Sequence, residues 1–157
     1  TKTRVMTLNE QMGAGGPTGM FLNGMPFHGG PVTEVPVLGT TEMWEIVNLT
    51  ADTHPIHFHL VNVQVLSRQP FAMIGGAFTP TGPARGPQPN ELGWKETVQM
   101  YPGTVTRVIM KFDLPTGLPF AVPVSPRTGG NEYVWHCHIL EHEEHDMMRP
   151  LVASTIR

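Results

Sequence analysis

The 157 residues amount to 17.3 kDa, the usual size of one globular domain and enough to bury a core. A formal net charge of −3 with no Lys/Arg cluster leaves no footprint for nucleic acid or an anionic membrane, so neither is expected as a partner. One cysteine excludes an intrachain disulfide, no apolar window of about 18 residues is present to cross a bilayer, and Gly 17 with Pro 16 indicates a turn-rich β fold.

In chain order, residues 3–9 alternate apolar and polar side chains with period two, the mark of a half-buried strand. Residues 13–31, with ten Gly and Pro, read as irregular. Alternation returns over 41–50 and 56–68. Residues 69–93 are rich in Pro and Gly and read as a loop longer than most connections in a compact domain. Residues 96–101, 104–113, 132–138 and 150–156 read as further strands, and Ile139 to Asp146 as one short polar helical turn. The N-terminus lacks the apolar run of a secretory signal and an initiating Met, which suggests a processed or excised product. The expectation is an all-β sandwich or barrel of about seven to eight strands with one short helix after the cysteine strand, forming a single domain over 1–157.

Seven of the eight histidines fall in two clusters, His54-Pro55-Ile56-His57-Phe58-His59 and His136-Cys137-His138 followed by His142 and His145. Side chains alternate along a strand, so His136 and His138 share one face while Cys137 points to the other, and one strand addresses two sites. His57 and His59 likewise share a face, and Pro55 is expected to disrupt regular pairing and displace His54. A thiolate, two imidazoles and a weak thioether suit copper in electron transfer, since they serve both oxidation states. Cys137, His142 and Met147 lie at intervals of five residues, with His54 supplied from a distant strand and Met148 as a rival to Met147. Zinc is disfavoured because one cysteine cannot supply paired thiolates. His57, His59, His136 and His138 are left over and imply a second metal site, joined to the first through Cys137 and its flanking backbone.

His28 and His145 read as solvated, Asp146 and Arg149 as a local surface ion pair, and the remaining methionines as core. Isolated cysteines are mostly small buried hydrophobes; between two histidines on a strand, Cys137 reads as a ligand.

The strings Thr53 to Leu60, Val134 to Glu143 and Asp146 to Pro150 resemble the copper motifs of multicopper oxidases, closest to the bacterial branch of spore-coat laccase, bilirubin oxidase and phenoxazinone synthase. Leu22-Asn23-Gly24 and Trp94 to Val98 extend the resemblance over nearly the whole chain, as one C-terminal cupredoxin domain with a Greek-key fold. The resemblance implies a type 1 copper on His54, Cys137, His142 and Met147, with His57 serving a type 2 copper. It assigns His59, His136 and His138 to a type 3 pair and makes Glu143 a proton-relaying acid. It also implies a phenolic or similar electron donor, dioxygen as acceptor, and an extracytoplasmic or spore-coat setting that composition leaves open. Four further cluster histidines that family members take from an N-terminal domain have no counterpart here. Three readings follow: the substrate-side domain of a laccase-like oxidase, a free-standing blue-copper electron carrier, and an isologous dimer that pools two half-clusters.

Overall fold

Period-two alternation folds into two sheets in the computed structural model, which describes residues 1–155; Ile156, the end of the expected 150–156 strand, lies outside them. Ten strands are formed among the described residues, more than the expected seven to eight. The first sheet takes β1 (Lys2–Gly13), β2 (Gly16–Leu22), β3 (Thr41–Asn48), β5 (Val63–Ile74), β6 (Ala77–Pro80) and β8 (Thr104–Lys111), in the order β2-β1-β3-β8-β5-β6. The second takes β4 (His54–Phe58), β7 (Thr97–Met100), β9 (Asn131–Cys137) and β10 (Met148–Ala153), in the order β10-β9-β4-β7. Neighbouring strands are antiparallel except β1 with β3, and a five-residue helix, α1 (Leu140–Glu144), follows β9.

The extra strands come from the two stretches read as irregular. Residues 13–31 contribute β2, which pairs back on β1 through Gly13↔Gly16. Within 69–93, β5 runs on to Ile74 and returns as β6 across Gly75 and Gly76, with φ of 59° and 82°. Two successive positive φ values make the hairpin turn whose twist matches the strands, and glycine adopts them without a Cβ clash. Residues 56–68 are not one strand. Leu60 sits at φ 72° and turns the chain from β4 in one sheet to β5 in the other.

The inner faces meet around Trp44, Trp135, Phe58 and Phe112. Trp44 meets Trp135 edge-on at 5.4 Å and Phe58 at 5.9 Å between centroids, the offset geometry that aromatic quadrupoles favour. Met6, Met20, Met100, Met110 and Met147 join this core, whereas Met12 and Met73 are more than half exposed.

Two arginines tie the loops to this frame. Arg149 in β10 is fully buried, donating from Nη1 to Pro26 O at 3.0 Å and from Nη2 to Pro31 O and, at 3.2 Å, to Thr33 Oγ1. Its charge partner is buried Glu34, 3.6 Å away, while Asp146 faces His28 at 3.7 Å. The expected Asp146–Arg149 surface pair is therefore not formed: the strand turns Arg149 inward, where its fork holds segment 26–34. Arg68 in β5 grips Glu91 with two hydrogen bonds of 2.5 and 2.6 Å, fastening the end of the 81–93 segment. This bond holds the Glu91 carboxyl below the usual carboxylate range. A depressed folded-state pKa gives stability that is present above about pH 4.5 and lost as pH falls through the lower folded value. Glu91→Gln should thus lower the thermal midpoint at pH 7, and its deficit against the wild type should shrink below about pH 4; a deficit that stays constant from pH 7 to 3 in calorimetry would count against the linkage.

Candidate metal centre

The central strands of the smaller sheet build two sites back to back. β4 and β9 pair antiparallel in the register Ile56↔Cys137, His57↔His136 and Phe58↔Trp135. Directly opposed residues share a face. Ile56, Phe58, Trp135 and Cys137 face the core, while His57 and His136 face outward. Pro55 does not displace His54 as expected: β4 includes both, with His54↔Met100 and Pro55↔Gln99 paired to β7. The Pro55 carbonyl accepts His138 N–H at 2.8 Å, so its missing N–H faces the end of β9, where only the last rung lacks its reciprocal bond.

On the inner side, His54 Nδ1 lies 3.6 Å from Cys137 Sγ, His142 Nδ1 lies 3.8 Å from the same sulfur, and the two nitrogens are 3.2 Å apart. His142 comes from α1, which the chain enters immediately after β9. All three side chains are buried, with only His142 at 9% reaching the surface. Burial, aided by His142, lowers His54 to a pKa of about 4 and burial raises the Cys137 thiol to about 11. Three convergent donors thus meet in a place that disfavours charge, an arrangement a bound cation reverses.

Register puts the two methionines on opposite faces. Met148 opposes His136 and so points with it to the outside, whereas Met147 is fully buried in the core cluster that contains Cys137. Met147 is also bound by its backbone to both neighbours: its carbonyl accepts Cys137 N–H at 3.0 Å and its N–H donates to His142 O at 2.9 Å.

Outside, donor atoms of His57, His59 and His136 gather within 4.8 Å of one another. His138 completes the ring group, its centroid 5.5 Å from His136 and 5.8 Å from His57. His57 Nδ1 reaches Glu96 O and Thr97 Oγ1, both at 3.0 Å, and His136 Nδ1 reaches Cys137 O at 2.9 Å. Each of these rings therefore keeps its Nε2 for the cluster. Burial and neighbouring His136 lower the pKa of His59, which favours the neutral, electron-donating imidazole. Glu143 Oε2 stands 3.6 Å from His136 Nδ1. His28, 83% exposed, and exposed His145 stay apart from both groups.

A family model described as multicopper oxidase matches residues 1–156. The chain belongs to the multicopper oxidase family. Copper is this family's metal, and the inner donor set of one soft thiolate and two imidazoles fits it. A laccase of Bacillus subtilis (strain 168) is 48% identical over 136 residues, covering 84% of this chain and 24% of that protein. A laccase of Haloferax volcanii is 39% identical over 152 residues, covering 97% and 22%. Among solved structures, the McoA multicopper oxidase of Aquifex aeolicus superposes with a TM-score of 0.69 at 25% identity, covering 97% of this chain and 29% of that one. The cupredoxin-like all-β fold is shared throughout, and the chain spans about a quarter of the length of the curated relatives it matches.

Sequence reading missed the surroundings of His54. Asn48 and Thr50 lie close enough in sequence to have been noticed, as a polar turn before a histidine strand. Glu10 lies 44 positions away on β1 and carries no local signal.

Proposed function

We propose that this chain is the C-terminal cupredoxin domain of a laccase-like oxidase, one domain over its whole length, in which His54, Cys137, His142 and Met147 would hold a type 1 copper. The carrying observation is the convergence of Cys137 Sγ, His54 Nδ1 and His142 Nδ1 within 3.8 Å in a buried pocket. Copper bound there supplies a one-electron acceptor whose two oxidation states need little rearrangement. His142, the ligand nearest the surface, is the one a phenol-type donor would reach first.

His57 is assigned to a type 2 position and His59, His136 and His138 to a type 3 pair, half of an oxygen-reducing cluster. Cys137 precedes His138 and follows His136, so bonded atoms join the two sites, with a hydrogen bond from His136 to Cys137 O as a second link. Glu143, beside His136, is suited to hold and deliver a proton to the cluster. The remaining histidines come from an N-terminal cupredoxin domain or from a second copy of the chain.

Metal analysis, the visible spectrum and oxygen uptake on the full-length protein test the reading. An intense blue band, more than one copper per functional unit and phenol-dependent oxygen consumption are expected. One copper with blue colour and no oxygen consumption would instead make the protein an electron carrier.

A further inference from the structure

His54 is sealed from solvent, and the ring nitrogen turned away from Cys137 has partners of its own. His54 Nε2 lies 2.6 Å from Thr50 Oγ1 and 3.6 Å from Glu10 Oε1. An Nδ1 that binds a metal must carry no proton, so the ring proton belongs on Nε2, where it is donated to Thr50 Oγ1. The Thr50 hydroxyl passes its own hydrogen bond to Asn48 Oδ1 at 2.8 Å, and the Asn48 amide donates to Met100 O and Asp52 O, both at 2.8 Å. Every donor in that relay has an acceptor.

Glu10 is the unexplained member. It arrives from the other sheet, its side chain is 9% exposed, and its Oε1 is buried without a hydrogen-bond partner. Leaving a buried carboxylate oxygen unpaired is costly unless a positive or proton-bearing group faces it. That oxygen faces the N–H side of the His54 ring at 3.6 Å, while the carboxyl as a whole also meets the Thr50 side chain and the Ala51 backbone.

We propose that Thr50 and Glu10 are positioning residues for the metal centre: Thr50 fixes His54 as the Nε2–H tautomer with Nδ1 aimed inward, and Glu10 strengthens that imidazole as a donor. The inference rests on the copper reading above. A carboxylate behind a ligating histidine raises its basicity and holds its orientation. Negative charge so placed stabilises the more positive oxidation state of the bound ion and lowers its reduction potential.

The test uses the copper-loaded full-length protein and reads the midpoint potential of the blue site together with its absorption, independently of turnover. Glu10→Gln keeps shape and removes charge; its potential should shift upward with the blue band retained, and Glu10→Asp should lie between it and the wild type. Thr50→Val removes the acceptor of the ring proton and should shift the band and speed copper loss to a chelator. Should the Gln variant fold poorly, proton NMR of the histidines in the reduced wild type should show a slowly exchanging N–H on His54 Nε2. A blue wild type whose potential is unmoved by Glu10→Gln, or one whose His54 Nε2 proton exchanges freely with solvent, overturns the inference alone, whereas a His54 protonated at Nδ1 is no metal ligand and takes the copper reading with it. A wild type without a blue band removes the copper reading and the inference together.

Discussion

Cys137→Ser is expected to abolish the blue absorption completely and to bring phenol-dependent oxygen uptake down to background. The sulfur is the one donor of the inner pocket that can bind as a thiolate, with His54 Nδ1 at 3.6 Å and His142 Nδ1 at 3.8 Å. Serine is smaller by the difference between sulfur and oxygen, yet its hydroxyl does not ionise at neutral pH and is a poor ligand for copper in either oxidation state. The fold should survive, because a substitution this small in a core costs on the order of 1 kcal/mol. Copper analysis should show a loss confined to the inner site, since the outer histidines keep their backbone anchors at Glu96 O and Cys137 O. A Cys137→Ser protein that keeps both its metal content and its colour would remove the basis of the functional reading.

The largest purely structural effect is expected at Arg149. Arg149→Met preserves the stem and deletes the guanidinium, leaving Pro26 O and Thr33 Oγ1 without their donor and Glu34 as a buried charge with no counter-ion. Breaking a buried pair from one side costs about 3–5 kcal/mol. At about 2–4 °C per kcal/mol for a chain of this size, the thermal midpoint should fall by on the order of 10 °C. Glu34→Gln in the same background should recover part of the loss, because it relieves the stranded carboxylate. Had Arg149 paired with Asp146 at the surface, the loss would have been about 0–1 kcal/mol, so a midpoint shift below about 2 °C would contradict the buried geometry.

These cases show what was legible in the sequence. The alternation of His136, Cys137 and His138 was enough to separate an inner from an outer site, because side-chain parity along a strand is local. Cross-strand register was not legible, and it brings His57 against His136 and Ile56 against Cys137. It also explains why Pro55 is harmless, since that depends on where β9 ends. Gly75-Gly76 between apolar residues is a local hairpin signal that composition over 69–93 obscured. Glu10 and Arg149 were beyond reach for another reason: their partners lie tens of residues away, and a polar side chain read in isolation defaults to the surface.

The β4–β9 pairing also constrains how the chain can change. With donors for the pocket and for the outer face alternating along the same ladder, a single-residue insertion or deletion between Trp135 and His138 would exchange the faces, turning a histidine into the core and the thiol toward solvent. Length variation in descendants of this chain should therefore collect in segments such as 81–93 and 114–130, and the two histidine clusters should be gained or lost as one unit.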